Sequence, residues 1–371
     1  MRIATLQFAP KLGDVDGNIG RANELLRNGK VLGGGVGIGV EILRPEILVL
    51  PELALTGYNF PSLEAIKPYL EPAGKGPSAT WARETARRYQ CKVCVGYPEI
   101  EEAGADPDDG LDGPQATYYN SLLVVDETGE VLHNYRKTFL YYTDETWAAE
   151  GDAKRSFLEL TFGKSHEQHS HHLKIATSFG ICMDINPYKF ERPFTDWEFA
   201  NQVIDSKSQL VILSMAWLTT MAREDLGSLA GKPEMDTYNY WIQRFWPLIK
   251  KRFRHDANFD DDEAESGKKT VIVFANRSGE EEGAEGTNPA LYAGTSAIIA
   301  VTQRPRSPSV DGGNDSANGS DDDKSGEEGT SSMDVKILCW DMMGAAEEGI
   351  CFADTTMEPK MVFGLVKASS T

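Results

Sequence analysis

Long apolar runs are missing from this sequence. It contains no uninterrupted stretch of 18 or more apolar residues, the length that a membrane-spanning helix requires. Its first residues, MRIATLQFAP, alternate in the manner of a β-strand and do not form the charged and apolar segments of a secretory signal peptide. We therefore expect a soluble, cytoplasmic protein with no membrane partner.

Cysteine is scarce as well. The 371 residues include five cysteines, at positions 91, 94, 182, 339 and 351. An odd number at irregular spacing does not make a disulfide framework, so a reducing compartment is expected. Cys91 and Cys94 have the spacing of a redox or half-zinc motif, but no second pair follows at a matching distance. Packing within a strand is the favoured interpretation of this pair.

Basic residues are outnumbered by acidic ones. There are 37 Lys and Arg against 57 Asp and Glu, which gives a formal net charge of -20. Three segments, 256–265, 280–285 and 311–328, together carry a net charge of -16. We predict that these segments are solvated loops, which repel nucleic acid and reveal little about the functional site.

Short β-rich runs alternate with helical segments along the rest of the chain. The predicted strands are residues 2–8, 46–50, 92–97, 118–125, 131–136, 173–182, 209–214, 270–276, 292–301 and 334–340. The predicted helices are residues 17–30, 77–89, 195–206 and 236–253. The mixture predicts an α/β protein with layered sheets under helices. We interpret residues 1–371 as a single domain with disordered acidic insertions at 255–269 and 305–333.

Two further motifs look chemical but have simpler explanations. The glycine run at 33–39 lacks the strand before it and the helix after it that a phosphate-binding loop needs, so a flexible connector is favoured. The histidine cluster at 166–172 lies in a polar turn without nearby thiolates, and a solvated loop is favoured.

Three reactive side chains follow apolar strands. Glu52 comes just after ILVLP, Lys137 after VLHNYR and Cys182 after LKIATSFGI. Taken singly, the glutamate could cap a turn, the lysine could be solvated and the cysteine could be a packed small residue. Strands of one sheet can also bring such ends together, and the three groups then form a coherent chemical set.

The set suits acyl transfer from an amide or a nitrile through a thioester. A thiol must be activated at neutral pH, and a carboxylate in a partly apolar pocket can be its general base. A buried ammonium beside them offsets the carboxylate charge and donates to the oxyanion of a tetrahedral intermediate.

The segments LPELALTGYNF, YRKTFLYYTDETW and GICMDINPYKFE, in this order, resemble the Glu, Lys and Cys segments of the nitrilase (carbon–nitrogen hydrolase) superfamily. The resemblance implies an αββα sandwich, two mixed sheets packed face to face with helices outside. It also implies a triad of Glu52 as base, Lys137 as oxyanion stabiliser and Cys182 as nucleophile, with no metal or organic cofactor. It further places an auxiliary glutamate at Glu145, which orients the lysine or a water.

Near the nucleophile, CMDINPYKFE and the later LVILSMAWL resemble the branch that deamidates N-terminal Asn and Gln of polypeptides to Asp and Glu, feeding the N-degron route of protein degradation. The backbone N–H of Met183 is a candidate oxyanion donor. Two roles are open for Asp184. It could bind the substrate's α-ammonium together with another acid of the pocket, or it could only cap the polar turn through Asn186.

The expected partners are polypeptide N-termini, not nucleic acid, and the expected protein is a monomer or a homodimer. Two alternatives differ in substrate or in class. A small-molecule ω-amidase or carbamoyl amidohydrolase of the same superfamily would share the triad and act on free amides. A non-enzymatic interaction protein would use the acidic loops for docking and leave Cys182 an ordinary thiol.

Overall fold

The computed structural model of the chain describes residues 1–31, 37–102, 116–163, 173–229, 231–250, 268–283, 288–305 and 333–364. The strands are β1 (Arg2–Gln7), β2 (Lys30–Val31), β3 (Gly37–Ile38), β4 (Ile47–Val49), β5 (Glu71–Pro72), β6 (Lys92–Glu101), β7 (Thr117–Val125), β8 (Val131–Arg136), β9 (Phe157–Phe162), β10 (Leu173–Ile181), β11 (Leu210–Met215), β12 (Lys268–Asn276), β13 (Glu280–Glu281), β14 (Ala290–Leu291), β15 (Ala297–Pro305), β16 (Met333–Met342), β17 (Gly349–Asp354) and β18 (Met361–Gly364). The helices are α1 (Val15–Asn28), α2 (Val40–Leu43), α3 (Leu63–Ile66), α4 (Pro77–Tyr89), α5 (Glu198–Asp205), α6 (Arg223–Ser228), α7 (Met235–Arg244) and α8 (Trp246–Lys250).

Two large mixed sheets form the centre of the fold. The first has the order β17-β1-β4-β6-β7-β8, with β5 added beside β6. The second has the order β18-β16-β15-β12-β11-β10-β9. In each sheet three neighbouring strands run parallel, namely β1, β4 and β6 in the first and β10, β11 and β12 in the second. Neither sheet closes into a barrel.

The sheets pack face to face, because alternate side chains of each strand point to opposite faces. In β4, Ile47 and Val49 join the core between the sheets, where they share a cluster with Leu213 of β11. Leu48 points the other way and packs with Trp81 of α4 in the outer core of the first sheet. Helices α5, α7 and α8 cover the second sheet in the same manner, so the layers are helix, sheet, sheet, helix. The predicted αββα sandwich is confirmed.

The largest differences between the predicted and the observed elements are in one helix and four strands. The helix expected at 236–253 is divided into α7 and α8 at Phe245, because Pro247 has no backbone N–H to continue the hydrogen bonds of α7. Strands β9, β17 and β18 were not predicted, and the strand expected at 292–301 instead spans Ala297–Pro305.

Of the motifs that were interpreted as non-catalytic, one lies within the described residues and the others lie wholly or mostly outside them. Cys91 and Cys94 are fully buried free thiols on opposite faces of the first sheet, as packing predicts. The histidine cluster lies outside the described residues, and so do most of the glycine run and most of both predicted insertions. No helix within the described ranges is long and apolar enough to cross a membrane.

Candidate active site

The nucleophile candidate lies on a strained turn at the end of β10. Cys182 directly follows Ile181, the last residue of that strand, and begins the 3₁₀-helix Cys182–Ile185. Its φ is 41°, in the left-handed region that a residue with a Cβ adopts at a cost of about 1–3 kcal/mol. The side chain is 8% exposed and reaches the wall of a cavity. The strained turn therefore presents the thiol to a ligand in that cavity.

Glu52 and Lys137 meet at the ends of two strands of the first sheet. Glu52 follows β4 after a short loop, and Lys137 immediately follows β8. Lys137 Nζ donates to Glu52 Oε1 at 2.6 Å, and both side chains are completely buried. Glu52 Oε2 accepts from the backbone N–H of Ala216 at 2.8 Å, which ties the carboxylate to the chain leaving β11 of the second sheet. The carboxylate thus bridges the two sheets beside the cavity.

Asp144 is the second carboxylate that contacts Lys137. Its Oδ2 accepts from Lys137 Nζ at 2.5 Å, and its Oδ1 accepts from Asn120 Nδ2 at 3.0 Å. Glu145, the residue expected in this role, is exposed at the surface. The expectation is therefore corrected by one position, because the turn after β8 directs Asp144 inward and its neighbour outward.

Asn120 links the two carboxylates of the site. Its Nδ2 donates to Glu52 Oε1 at 2.7 Å as well as to Asp144 Oδ1. Asn120 lies in β7, the strand between β6 and β8, and is fully buried. No motif in the sequence marks it, and only its position in the sheet reveals the contact.

Burial and neighbouring charges set the protonation of the site. Burial raises the pKa of Glu52, and Lys137 counteracts part of this effect. Burial lowers the pKa of Lys137, but the charges of Asp144 and Glu52 outweigh burial and raise it above its ordinary value. Burial raises the pKa of the Cys182 thiol well above its ordinary value, and the charge of Glu52 adds to the rise. The resting site therefore holds a neutral thiol beside a lysine ammonium and a carboxyl group whose basicity is enhanced.

Asp184 has a structural role in place of the predicted binding role. It is 2% exposed and accepts hydrogen bonds from Tyr135 Oη at 2.7 Å and from the backbone N–H groups of Thr138, Phe139 and Ile181 at 3.0, 2.8 and 2.7 Å. These bonds join the segment after Lys137 to the nucleophile turn. The carboxylate is engaged by the protein on both oxygens, so the expectation that Asp184 binds the substrate ammonium is corrected. The alternative that it caps the turn through Asn186 is also not what is observed, because the carboxylate caps the start of the turn at Ile181.

A cavity of about 410 Å³ opens onto the thiol. Apolar and aromatic side chains, among them Tyr58, Trp217 and Phe190, form much of its wall. Met183 also lines it and lies in the first turn of the 3₁₀-helix, where backbone N–H groups lack intrahelical acceptors. That N–H can therefore face an oxyanion formed at the thiol.

A buried ion pair anchors the loop between Glu52 and the cavity wall. Arg277 Nη2 contacts Glu281 Oε1 at 2.8 Å, and Glu281 accepts from the backbone N–H groups of Tyr58 and Asn59 at 3.0 and 2.8 Å. Glu281 is 2% exposed. The prediction that the acidic segment 280–285 is a solvated loop is therefore wrong at this residue, which helps to fix the Tyr58 side of the cavity.

One buried acid of the cavity was missed by the sequence analysis. Glu234 is 5% exposed, lines the cavity and lies immediately before α7. The segment around it, GKPEMDTYNY, is polar and mixed in charge, and it is typical of a helix start. Nothing in its pattern separates a cavity-facing acid from an ordinary one.

Comparison with known proteins agrees with the fold and identifies the family. The family model described as carbon-nitrogen hydrolase matches residues 2–186. The protein N-terminal amidase of Schizosaccharomyces pombe is 33% identical over 317 residues, which cover 82% of this chain and 92% of that protein. The protein N-terminal amidase of Saccharomyces cerevisiae is 32% identical over 235 residues, covering 62% of this chain and 47% of that protein.

Solved structures resemble the chain over its whole length. The crystal structure of an N-terminal amidase superposes with a TM-score of 0.66 at 22% identity and covers 99% of both chains. A structure of N-terminal amidase with an Asn-Glu-Ala peptide gives a TM-score of 0.65 at 23% identity, again with 99% coverage of both chains. The chain therefore belongs to the carbon–nitrogen hydrolase family, with protein N-terminal amidases as relatives, and is a hydrolase of carbon–nitrogen bonds other than peptide bonds.

Proposed function

We propose that the protein is a protein N-terminal amidohydrolase that converts N-terminal Asn and Gln of polypeptides to Asp and Glu, a step that feeds the N-degron route. The observation that carries this proposal is the buried contact between Glu52 and Lys137, whose charges act on Cys182, a residue of the cavity wall. The substrate follows from the S. pombe relative, which aligns over 92% of its own length and is a protein N-terminal amidase.

In the first half-reaction, Cys182 Sγ attacks the carbon of the side-chain carboxamide while its proton passes to Glu52. The oxyanion of the tetrahedral intermediate accepts from Lys137 Nζ and from the backbone N–H of Met183. Glu52 then returns the proton to the nitrogen, the C–N bond breaks, ammonia leaves and a thioester remains.

In the second half-reaction, water attacks the thioester as Glu52 takes one of its protons. The C–S bond breaks, Cys182 recovers its proton from Glu52, and the product carries a side-chain carboxyl group. The net reaction adds one water and releases one ammonia. Asp144 keeps the lysine charged and oriented throughout, because its Oδ2 accepts from the same ammonium.

The test measures ammonia release from an Asn-initiated peptide, its N-acetylated twin and free asparagine. We expect release from the free-amine peptide and little from the other two. The Cys182→Ala variant should release none, and Glu52→Gln should lose about 10²–10⁴-fold in rate, as expected for removal of a general base. Equal release from free asparagine would favour a small-molecule amidase. A Cys182→Ala variant with wild-type kcat would contradict the mechanism.

A further inference from the structure

Among the described residues, one oxygen of the buried Glu234 carboxylate has no hydrogen-bond partner. Glu234 Oε1 accepts from Thr237 Oγ1 at 3.0 Å, whereas Oε2 has no hydrogen-bond partner within the described part of the chain. The residue is 5% exposed and lines the same cavity as Cys182. The side chain is therefore part of the wall of this cavity, and its unpartnered oxygen is buried in that wall.

The backbone around this carboxylate is firmly held. The N–H of Glu234 donates to Thr295 Oγ1 at 2.9 Å, and its carbonyl oxygen accepts from the N–H of Tyr238 at 3.1 Å in the first turn of α7. Glu234 occupies the N-cap position of α7, but its side chain does not cap the helix. The position before the helix therefore leaves the acceptor capacity of the carboxylate free.

A buried carboxylate oxygen without a donor is unfavourable by about 1–3 kcal/mol, and a cationic ligand would relieve this penalty. The cavity has no cation of its own to do so, since none of its described lining residues is Lys, Arg or His. The lysine of the site, Lys137, is already held by Glu52 and Asp144. A cationic group of the bound ligand is therefore the expected hydrogen-bond donor to Glu234 Oε2.

We propose that Glu234 binds the α-ammonium of the substrate's N-terminal residue and thereby selects free N-termini. This inference rests on the proposed function, because the α-ammonium lies two bonds from the side-chain methylene whose carboxamide Cys182 attacks. It assigns to Glu234 the recognition role that the sequence analysis gave to Asp184. It also distinguishes recognition from chemistry, since Glu234 contacts neither Glu52 nor Lys137 among the described hydrogen bonds and ion pairs.

The experiment compares two peptides that differ in one group. The first begins with Asn, and the second begins with a 3-carbamoylpropanoyl group, which keeps the carboxamide and lacks the α-amine. For wild-type protein we expect a KM about 10- to 100-fold lower for the Asn peptide, the range of one charge-assisted hydrogen bond. Glu234→Gln should abolish this difference by raising the KM for the Asn peptide alone, with kcat changed less than about threefold.

Two controls accompany the variant. Asp236→Asn removes an exposed carboxylate from the same cavity rim and should raise the KM by less than about threefold, because solvent screens an exposed charge. The KM of wild-type protein for the Asn peptide should also rise above pH 8, where an α-ammonium loses its proton. The peptide without the amine should show no such rise.

The possible failures are distinguishable. Wild-type protein that is inactive on both Asn- and Gln-initiated peptides would overturn the proposed function and this inference with it. Wild-type protein that deamidates them but has equal KM for the two test peptides would overturn the inference alone. A Glu234→Gln variant that is impaired equally on both peptides would also overturn it, since the residue would then have a general structural role.

Discussion

At the residue scale, the charge of Lys137 depends on two buried acids with different tasks. Glu52 faces the backbone N–H of Ala216 on its other oxygen, while Asp144 accepts from Asn120 and from the backbone N–H of Tyr141 at 3.0 Å. Both acids have donors on both oxygens, so their hydrogen bonds alone do not separate them. The charge of Glu52 raises the pKa of the Cys182 thiol more than the charge of Asp144 does, which favours Glu52 as the partner of the thiol and Asp144 as the acid that orients the lysine. Glu52 is left as the acid whose proton changes during the reaction.

Replacing Asp144 with Asn tests this division of tasks. An amide has only one acceptor oxygen, so its NH₂ would face either Asn120 Nδ2 or the donors Lys137 and Tyr141. We expect the free energy of unfolding to fall by about 1–3 kcal/mol. We also expect kcat to fall by about 10- to 100-fold, or about 1.4–2.7 kcal/mol of transition-state stabilisation, with little change in KM. Steady-state kinetics and urea unfolding measure these quantities.

Glu145→Gln is the matched control, since it makes the same chemical change one residue along, on an exposed side chain. Its kcat and its unfolding midpoint should equal those of the wild type. A loss of activity in Glu145→Gln with none in Asp144→Asn would restore the auxiliary role to Glu145.

The contrast between Asp144 and Glu145 also shows what sequence can predict for single residues. Glu52 and Cys182 are identifiable because each follows an apolar strand, where a polar side chain is unexpected, whereas Lys137 follows the half-polar strand β8 and is identifiable by the resemblance of its segment to the family. Which of two adjacent acids turns inward depends on a short 3₁₀-turn, Asp144–Thr146, whose geometry is not encoded in any periodic pattern. Glu234 was missed for the same reason.

At the scale of secondary-structure elements, the base is positioned by a close approach between its loop and β6. An ideal Cβ on Gly96 would lie 2.7 Å from Leu53 N, 2.8 Å from Glu52 Cα and 2.8 Å from Pro51 O. Real Cβ atoms do not approach backbone atoms this closely. Only glycine at this position of β6 lets the loop after β4 pass, and so places Glu52 against Lys137.

Gly96→Ala should therefore displace the base. We expect a loss of about 1–3 kcal/mol in unfolding free energy, as for overpacking in a core. We expect kcat/KM to fall at least tenfold, because a misplacement of about 1 Å can cost about 10²-fold in rate. Urea unfolding and ammonia release measure the two effects.

The control is the same substitution at Gly20, in α1, where an added Cβ meets no described atom within 4 Å. Gly20→Ala should raise stability by about 0.5–1 kcal/mol, since glycine disfavours a helix interior, and should leave kcat/KM unchanged. A Gly96→Ala protein with wild-type activity would show that the loop can move without disturbing Glu52.

At the scale of the whole molecule, some strands are defined by pairing with partners that are distant in the chain. β17 pairs with β1, so that Arg2 lies opposite Asp354. The short sequence GICFAD gives little strand signal alone and is fixed as a strand by this partner. The αββα class was predictable from the alternation of elements, whereas such pairings depend on tertiary contacts that no local pattern contains.

The pairing of β15 with β16 in the second sheet predicts that the longer acidic insertion can be shortened without loss of activity. Pro305 at the end of β15 pairs with Met333 at the start of β16, so the connection 306–332 leaves and re-enters one hairpin end. Replacing these 27 residues with a turn of about four should preserve kcat/KM for the Asn peptide within about twofold. Shortening the connection should also raise the unfolding free energy by about 1–2 kcal/mol, because less loop entropy is lost on folding.

A second variant distinguishes charge from length. It keeps all 27 residues but replaces the seven acids of 311–328 with their amides, and it too should retain wild-type kcat/KM. If the deletion alone impaired peptide turnover without lowering stability, the segment would contribute to substrate access. If both variants impaired it equally, the acidic charges themselves would recruit the substrate. Unchanged kinetics in both would place all determinants of deamidation in the two sheets and the loops that surround the cavity.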